Sequence, residues 1–335
     1  MQLPRPRGPF SEHLFGQLVA VSPEPTPVEV ARGVLADEDL QISLWALYEL
    51  SYRGFDDVDP SHEWSPALLT TRARLESAFE TAIRDLTAPV VQRGLDATGS
   101  VADQLAAVIE DVEDDPRLAR YLQREATEEQ YREFLVHRSI YHLKESDPHA
   151  WAVPRLDGAP KVALAELQYD EFGAGRAERL HSTLFARALE GAGLDPTYGA
   201  YVDAVPAVTL AVNNAMSLFG LHRRLRGAIL GHLAAFESTS SLPCRRYSSG
   251  AERLGFDARV TDYFDEHVEA DAVHEQLACR TICQRLVDAE PDLHADVLLG
   301  AAACVQLDAL AGRQMVDAWH DGASALLPTD EQEVA

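Results

Sequence analysis

A chain of 335 residues is long enough for one large domain or two smaller ones. Its 46% hydrophobic and 25% charged residues suit a globular protein with a sizeable core. The 29 Lys and Arg against 54 Asp and Glu leave a formal charge of −25, which argues against nucleic acid or an anionic membrane as a partner.

No apolar run reaches the ~18 residues expected of a membrane span, and the opening "MQLPRPRGPF" lacks the apolar stretch of a signal peptide. The four cysteines, Cys244, Cys279, Cys283 and Cys304, show no CxxC spacing. The expectation is a cytoplasmic chain whose thiols are reduced and buried.

In chain order, residues 1–35 are punctuated by proline and read as irregular. Helices are expected over 37–53, over 66–87 with Ser65 and Pro66 as cap and first turn, and over about 100–112. "ATEEQYREFLVHRSIYHLKES" opens with the capping box Thr127-x-x-Gln130 and predicts helix to about Ser146. "DPHAWAVPRLDGAP" breaks the chain. "KVALAELQYDEFGAGRAERLHSTLFARALEGAG" then reads as helix, a glycine-rich interruption at 173–175, and helix again. Further helices are expected over about 199–218, 221–241, 262–282 and 290–320, followed by a frayed tail, "PTDEQEVA".

No alternating strand pattern or Asn-Gly hairpin competes, so the prediction is all-α. Residues 1–125 are expected to form a helical accessory region and 126–325 a helical bundle. Within the first part, "QISLWALYELSYRGF" offers Leu44, Trp45, Leu47, Tyr48 and Tyr52 as a broad apolar surface. That surface is the reason to expect a homodimer.

The chemistry concentrates in "DYFDEHVEADAVHEQLACRTI", residues 262–282. At ~100° per residue, His267, Asp271 and His274 fall within ~60° of arc and continue the apolar line from Phe264 to Ala278. Glu266, Glu269, Glu275 and Gln276 spread over other faces. A buried carboxylate without a partner costs several kcal/mol, so three inward ionisable groups demand either a hydrogen-bonded network or a divalent metal. Imidazole with carboxylate suits iron, manganese or zinc. His267 and His274 lie roughly 10 Å apart along the axis, which favours two neighbouring ions with Asp271 between them.

Glu145, His181 and Glu237 fall on or near the apolar stripes of other helices and complete a candidate set. A ferritin-like arrangement would use Glu145, Glu178-x-x-His181, Glu237 and Asp271-x-x-His274, and would leave His267 without a role.

Residues 127–285 also resemble the haem-oxygenase-like di-iron oxidase and oxygenase superfamily. Its last metal helix carries His-x-x-x-Asp-x-x-His, here His267, Asp271 and His274. The resemblance implies a haem-oxygenase-like bundle with an N-terminal helical extension. It also implies Glu145, His181 and Glu237 as the earlier ligands, two Fe(II) per chain and O2 as co-substrate. An N-oxygenase branch of that family adds a carboxylate ten residues before the first histidine, the position of Glu171.

Along a straight helix Glu171 would stand ~15 Å from His181, so a break at Gly173 and Gly175 would have to fold it back. Glu178, one turn from His181, is its rival. The implied activity is oxygenation of a small amine or amino acid, N-oxygenation first, with an external electron donor as a further partner. Desaturation or oxidative C–C cleavage of an amino acid or fatty acid is the runner-up, and a non-catalytic helical binding or scaffold protein is the alternative of another class. Arg245 and Arg246 are candidates for holding a substrate carboxylate. His137 and His142 leave haem ligation as a minor alternative.

Overall fold

Helices follow one another along the chain because almost every segment pairs an apolar stripe with good helix formers. The computed structural model describes residues 1–28, 33–113 and 117–328, with the side chains of 111–113, 117 and 269–273 also outside that description. The first half holds α1 (Pro9–Leu18), α2 (Glu38–Glu49), α3 (Pro66–Asp96), α4 (Val101–Glu113), α5 (Arg117–Arg124), α6 (Glu128–His142) and α7 (Asp147–Ala150). The second half holds α8 (Gly158–Glu171), α9 (His181–Gly191), α10 (Ala207–Leu221), α11 (Arg226–Leu254), α12 (Ala258–Gln276), α13 (Gln284–Ala289) and α14 (His294–His320). A π-helical stretch, Leu277–Cys283, joins α12 to α13, and no strand occurs among the described residues.

Several bounds differ from expectation, each for a physical reason. α1 lies in the stretch read as irregular. Its first amides are capped by Asp39, which accepts from Phe10 and Ser11 at 2.9 and 2.6 Å, so the capping acid comes from another helix. α5 was likewise not expected. α3 continues through Pro89 because Val90 keeps the line of Leu75, Phe79 and Ile83 in the core. α11 passes Pro243, and the hydroxyls of Ser238 and Thr239 bond back to the carbonyls of Ala234 and Ala235 at 2.7 and 2.8 Å. α10 begins only after Pro206, and the helix of residues 262–282 becomes π-helical at Leu277. The capping box of Thr127 and Gln130 is present, but α6 stops at His142 and Glu145 sits in the turn beyond it. The tail from residue 329 on lies outside the described residues.

The face expected to meet a second copy is used inside the chain. Leu44, Trp45, Leu47 and Tyr48 are buried in a core shared by α1–α4 with α10, α11 and α14, and Asn214 on α10 donates to both the carbonyl and the side chain of Gln41. The segment Pro291–His320 is long and apolar enough to cross a membrane, contrary to the sequence reading. Most of it is buried inside the protein, as in the core helix of a globular fold. All four cysteines are free and buried.

α11 and α14 approach so closely that glycine is required on both. A Cβ on Gly231 would lie 1.8 Å from the Val297 carbonyl oxygen, and one on Gly300 1.8 Å from that of Ala228. Gly300→Ala is therefore expected to destabilise the fold by roughly 1–3 kcal/mol or more through overpacking. Urea unfolding checks this, and an unchanged midpoint would contradict the close crossing. Because α11 carries Glu237, this contact also fixes one wall of the site.

Candidate metal centre

Six ionisable side chains converge between α6, α8, α9, α11 and α12. Glu145 comes from the turn after α6, Glu171 ends α8, His181 begins α9, Glu237 lies within α11, and His267 and His274 stand two turns apart on α12. They form two triads, Glu145–His181–His267 and Glu171–Glu237–His274, each offering three ligand atoms within 4.8 Å of one another. Every one of the six is at most 6% exposed. Asp271, expected between the two histidines, lies outside the described residues, as does Glu269.

Glu171 links the triads. Its Oε2 is 3.1 Å from His181 Nδ1, and its Oε1 is 3.7 Å from His274 Nδ1. Glu237 Oε2 stands 3.3 Å from the same His274 nitrogen. Glu145 Oε1 is 3.5 Å from His267 Nε2. The Nδ1–H of His267 donates to the Tyr263 carbonyl at 2.8 Å, which turns Nε2 towards the carboxylates.

His181 Nδ1, His267 Nε2 and His274 Nδ1 are buried and make no aligned hydrogen bond. Buried nitrogens facing carboxylates at 3.1–3.7 Å fit atoms that would share a central cation. Ligands held ~2.0–2.2 Å from one ion have mutual spacings of this order, and mixed imidazole and carboxylate donors suit iron.

The electrostatics point the same way. Burial opposes charge on His267, yet Glu145 and then Glu171 hold its pKa up at about 10. Burial is likewise outweighed at His274, where Glu237 and Glu171 raise the pKa to about 9. Burial pushes Glu145 up, but His142 and His267 together hold it down at about 2. His181 is also raised, with burial offset by Glu171. The cluster attracts positive charge strongly, and a proton or a metal ion can provide it.

Glu171 reaches His181 because the chain reverses at once after α8. Gly173, Ala174 and Gly175 all take left-handed backbone angles, φ 75°, 51° and 79°. A Cβ on Gly173 would lie 2.6 Å from the Leu180 amide nitrogen, so only glycine allows the loop to close on itself. Glu178 is exposed and is not brought to either triad.

The turn carrying Glu145 is gripped from the N-terminal region. Buried Glu49 on α2 pairs with buried Lys144 at 3.4 Å and accepts from the Tyr198 hydroxyl at 2.7 Å. Arg53 donates to the Leu143 carbonyl at 3.2 Å. Next to Glu145, Ser146 is left-handed at φ 70°, and its hydroxyl accepts from Gln168 at 2.6 Å. Tyr263 donates to both oxygens of Glu145, at 3.0 and 2.9 Å. Glu49, Lys144 and Tyr263 were not singled out in the sequence. Tyr263 could have been, because it lies one turn before His267.

Glu49→Ala should cost roughly 3–5 kcal/mol, since it leaves a buried ammonium without its carboxylate. Glu49→Leu combined with Lys144→Met should recover much of that loss. Denaturant titration of the three proteins checks the pair.

Residues 132–309, just over half of the chain, match the family described as iron-containing redox enzyme. The chain belongs to that family. It is thus an oxidoreductase, its all-α fold is haem-oxygenase-like rather than ferritin-like, and all six clustered residues lie within the matched span. Over 161 residues the chain is 30% identical to nitrosourea synthase of Streptomyces achromogenes subsp. streptozoticus, across 48% of this chain and 34% of that one. The chain therefore spans about a third of the length of that curated relative. A CADD-like protein of unknown function from Nostoc punctiforme PCC 73102 superposes with a TM-score of 0.47 at 18% identity, covering 71% of this chain and 98% of that one.

In this iron-containing redox enzyme a cavity of about 390 Å³ opens beside the first triad, with Glu145, His267, His142 and Tyr263 in its wall. Phe134, Tyr141, Met216 and Phe236 make much of the rest apolar. Arg246 lines the cavity, whereas Arg245 is exposed and does not. His142 is buried 3.5 Å from Glu145, and burial lowers its pKa to about 4 despite that carboxylate. His137 bonds to Thr209 through Nδ1 at 2.7 Å. Both histidines therefore belong to this wall.

Proposed function

We propose that this chain is a non-haem di-iron, O2-dependent oxygenase acting on a small amine or amino-acid-like substrate, with N-oxygenation favoured. The observation that carries it is Glu171, whose two oxygens address His181 of one triad and His274 of the other. Glu145, His181 and His267 would hold one ferrous ion, and Glu237 and His274 the other, with Glu171 serving both. When bound, the iron pair supplies the electrons and the Lewis acidity that activate O2.

The chain's own groups do the rest. The Tyr263 hydroxyl fixes Glu145 through one hydrogen bond shared between its two oxygens, and the Tyr263 carbonyl fixes the tautomer of His267. The apolar cavity wall keeps water from the reacting end. The preference for an amine draws on the likeness to nitrosourea synthase and on Glu171 occupying the extra-carboxylate position.

A second reading, desaturation or oxidative C–C cleavage of an amino acid or fatty acid, is favoured by the aromatic and aliphatic share of that wall. Anaerobic loading with Fe(II) followed by metal analysis is expected to give two irons per chain. Substrate-dependent O2 uptake should then be larger with amines and amino acids than with fatty acids. Substantially less than one iron per chain would favour a non-catalytic binding protein, and stimulation by fatty acids alone would favour the second reading.

A further inference from the structure

We propose that the buried hydrogen bond between Gln168 and Ser146 is a spacer for the two triads. It holds Glu145 and Glu171 at the separation that lets Glu171 serve both ions. The two residues act through their neighbours, so they are positioning residues and not ligands. The inference rests on reading the triads as a di-iron centre.

Ser146 follows Glu145 directly in the turn after α6, and Gln168 stands one turn before Glu171 on the same side of α8. Gln168 Nε2 donates to the Ser146 hydroxyl at 2.6 Å, and both side chains are at most 4% exposed. The bond therefore joins the turn that carries a carboxylate of one triad to the helix that carries the carboxylate facing both. The Ser146 amide donates to the Tyr141 hydroxyl at 3.2 Å, which steadies the turn from its other side.

Two unfavourable features meet at this contact. Ser146 holds a left-handed backbone, φ 70°, that glycine would adopt freely. Gln168 Oε1 is buried without a hydrogen-bond partner, a penalty that an apolar side chain of similar length would not carry. Strained residues of this kind cluster at functional sites, where the surrounding structure over-determines them. Stability alone does not account for the pair, whereas its place between the triads does.

Glu145 and Glu171 are buried acids on separate elements, and both act on His267. Until cations are bound the two carboxylates repel, and an untied turn and helix would draw apart. One ion could still gather its own ligands after the tie is lost. Glu171 would then follow that ion alone, and the other position would lose a ligand.

The test is titration of the metal-free full chain with Mn(II), read by calorimetry and by the electron paramagnetic resonance of the bound ions. Ser146→Gly keeps the left-handed turn and removes the hydroxyl, while Gln168→Met keeps the length and removes the donor. In each variant the first ion should bind as in the wild type, and the second at least about tenfold more weakly. The exchange-coupled signal of a neighbouring Mn(II) pair, expected of the wild type, should give way to that of isolated Mn(II). The double variant should be no worse than either single one, since both substitutions remove the same bond.

Wild-type affinity for the second ion in either variant would overturn the spacer. So would equal weakening of both ions, or additive losses in the double variant. Failure of the di-iron reading would show in the wild-type chain itself, as fewer than two bound ions and no coupled signal, and would overturn the spacer with it. Two coupled ions in the wild type and in both variants would overturn the spacer alone.

Discussion

Glu171→Ala is expected to reduce bound iron from two per chain to one or fewer, while Glu178→Ala leaves it at two. Glu171 is the carboxylate that stands within reach of a histidine in each triad, so its loss removes an anion from both positions at once. Removing a group that merely supports a ligand typically costs 10–100-fold in metal affinity, and a direct ligand costs more. Glu178 is exposed, so its truncation removes only a solvated charge. Gly173→Ala should reproduce the loss with all ligands intact, because a Cβ there forces open the loop that returns Glu171 to His181. Metal analysis after anaerobic loading and desalting gives the count. If Glu178→Ala strips iron and Glu171→Ala does not, the ligand set drawn here is wrong.

The second large effect is on pH. In the metal-free protein, the pKa values of about 10 at His267 and about 9 at His274 mean that both imidazoles carry a proton at neutral pH. A metal must displace at least one proton in each triad, so apparent affinity should rise at least about tenfold per pH unit at each site between pH 6.5 and 8.5. Cobalt(II) titrations at pH 6.5, 7.5 and 8.5 would show this, and affinities that stay level over that range would refute it.

The stability of the metal-free chain should move in the opposite direction. Histidines raised above their usual 6.5 contribute fully below that value, and the contribution is lost as pH rises through 9 to 10. Glu145, held at about 2 against a usual 4.5, contributes above 4.5 and is lost as pH falls towards 2. Thermal unfolding of metal-free protein across pH 3–10 should therefore peak between those limits.

Much of the centre was legible because α12 displays it. His267 and His274 fall on an apolar line two turns apart, and burying them there without partners would be costly. Glu145, His181 and Glu237 were legible only as an ordered set, since each alone is a polar residue at the edge of a stripe. Glu171 was harder to place. The glycines at 173 and 175 signalled a break, but the reversal also needs Ala174 in the left-handed region, and nothing in the sequence signals that.

Long-range partners account for the rest. α1 is capped by an acid 28–29 residues away, and Lys144 is matched by Glu49 at a separation of 95 residues. The apolar face of α2 could be read from its residues, but not whether a second copy or the chain itself would cover it.

For the O2-dependent iron enzyme proposed above, the buried cysteines have a consequence. Only the thiolate is readily oxidised, and burial favours the neutral thiol. Burial raises the pKa of Cys304, in the cavity wall, and of Cys279 and Cys283, on the π-helical stretch after α12. Thiols kept protonated in this way resist conversion to sulfenic acid by peroxide leaking from an uncoupled turnover. They also remain poor competitors for ferrous iron, which leaves the carboxylates and imidazoles as its preferred ligands.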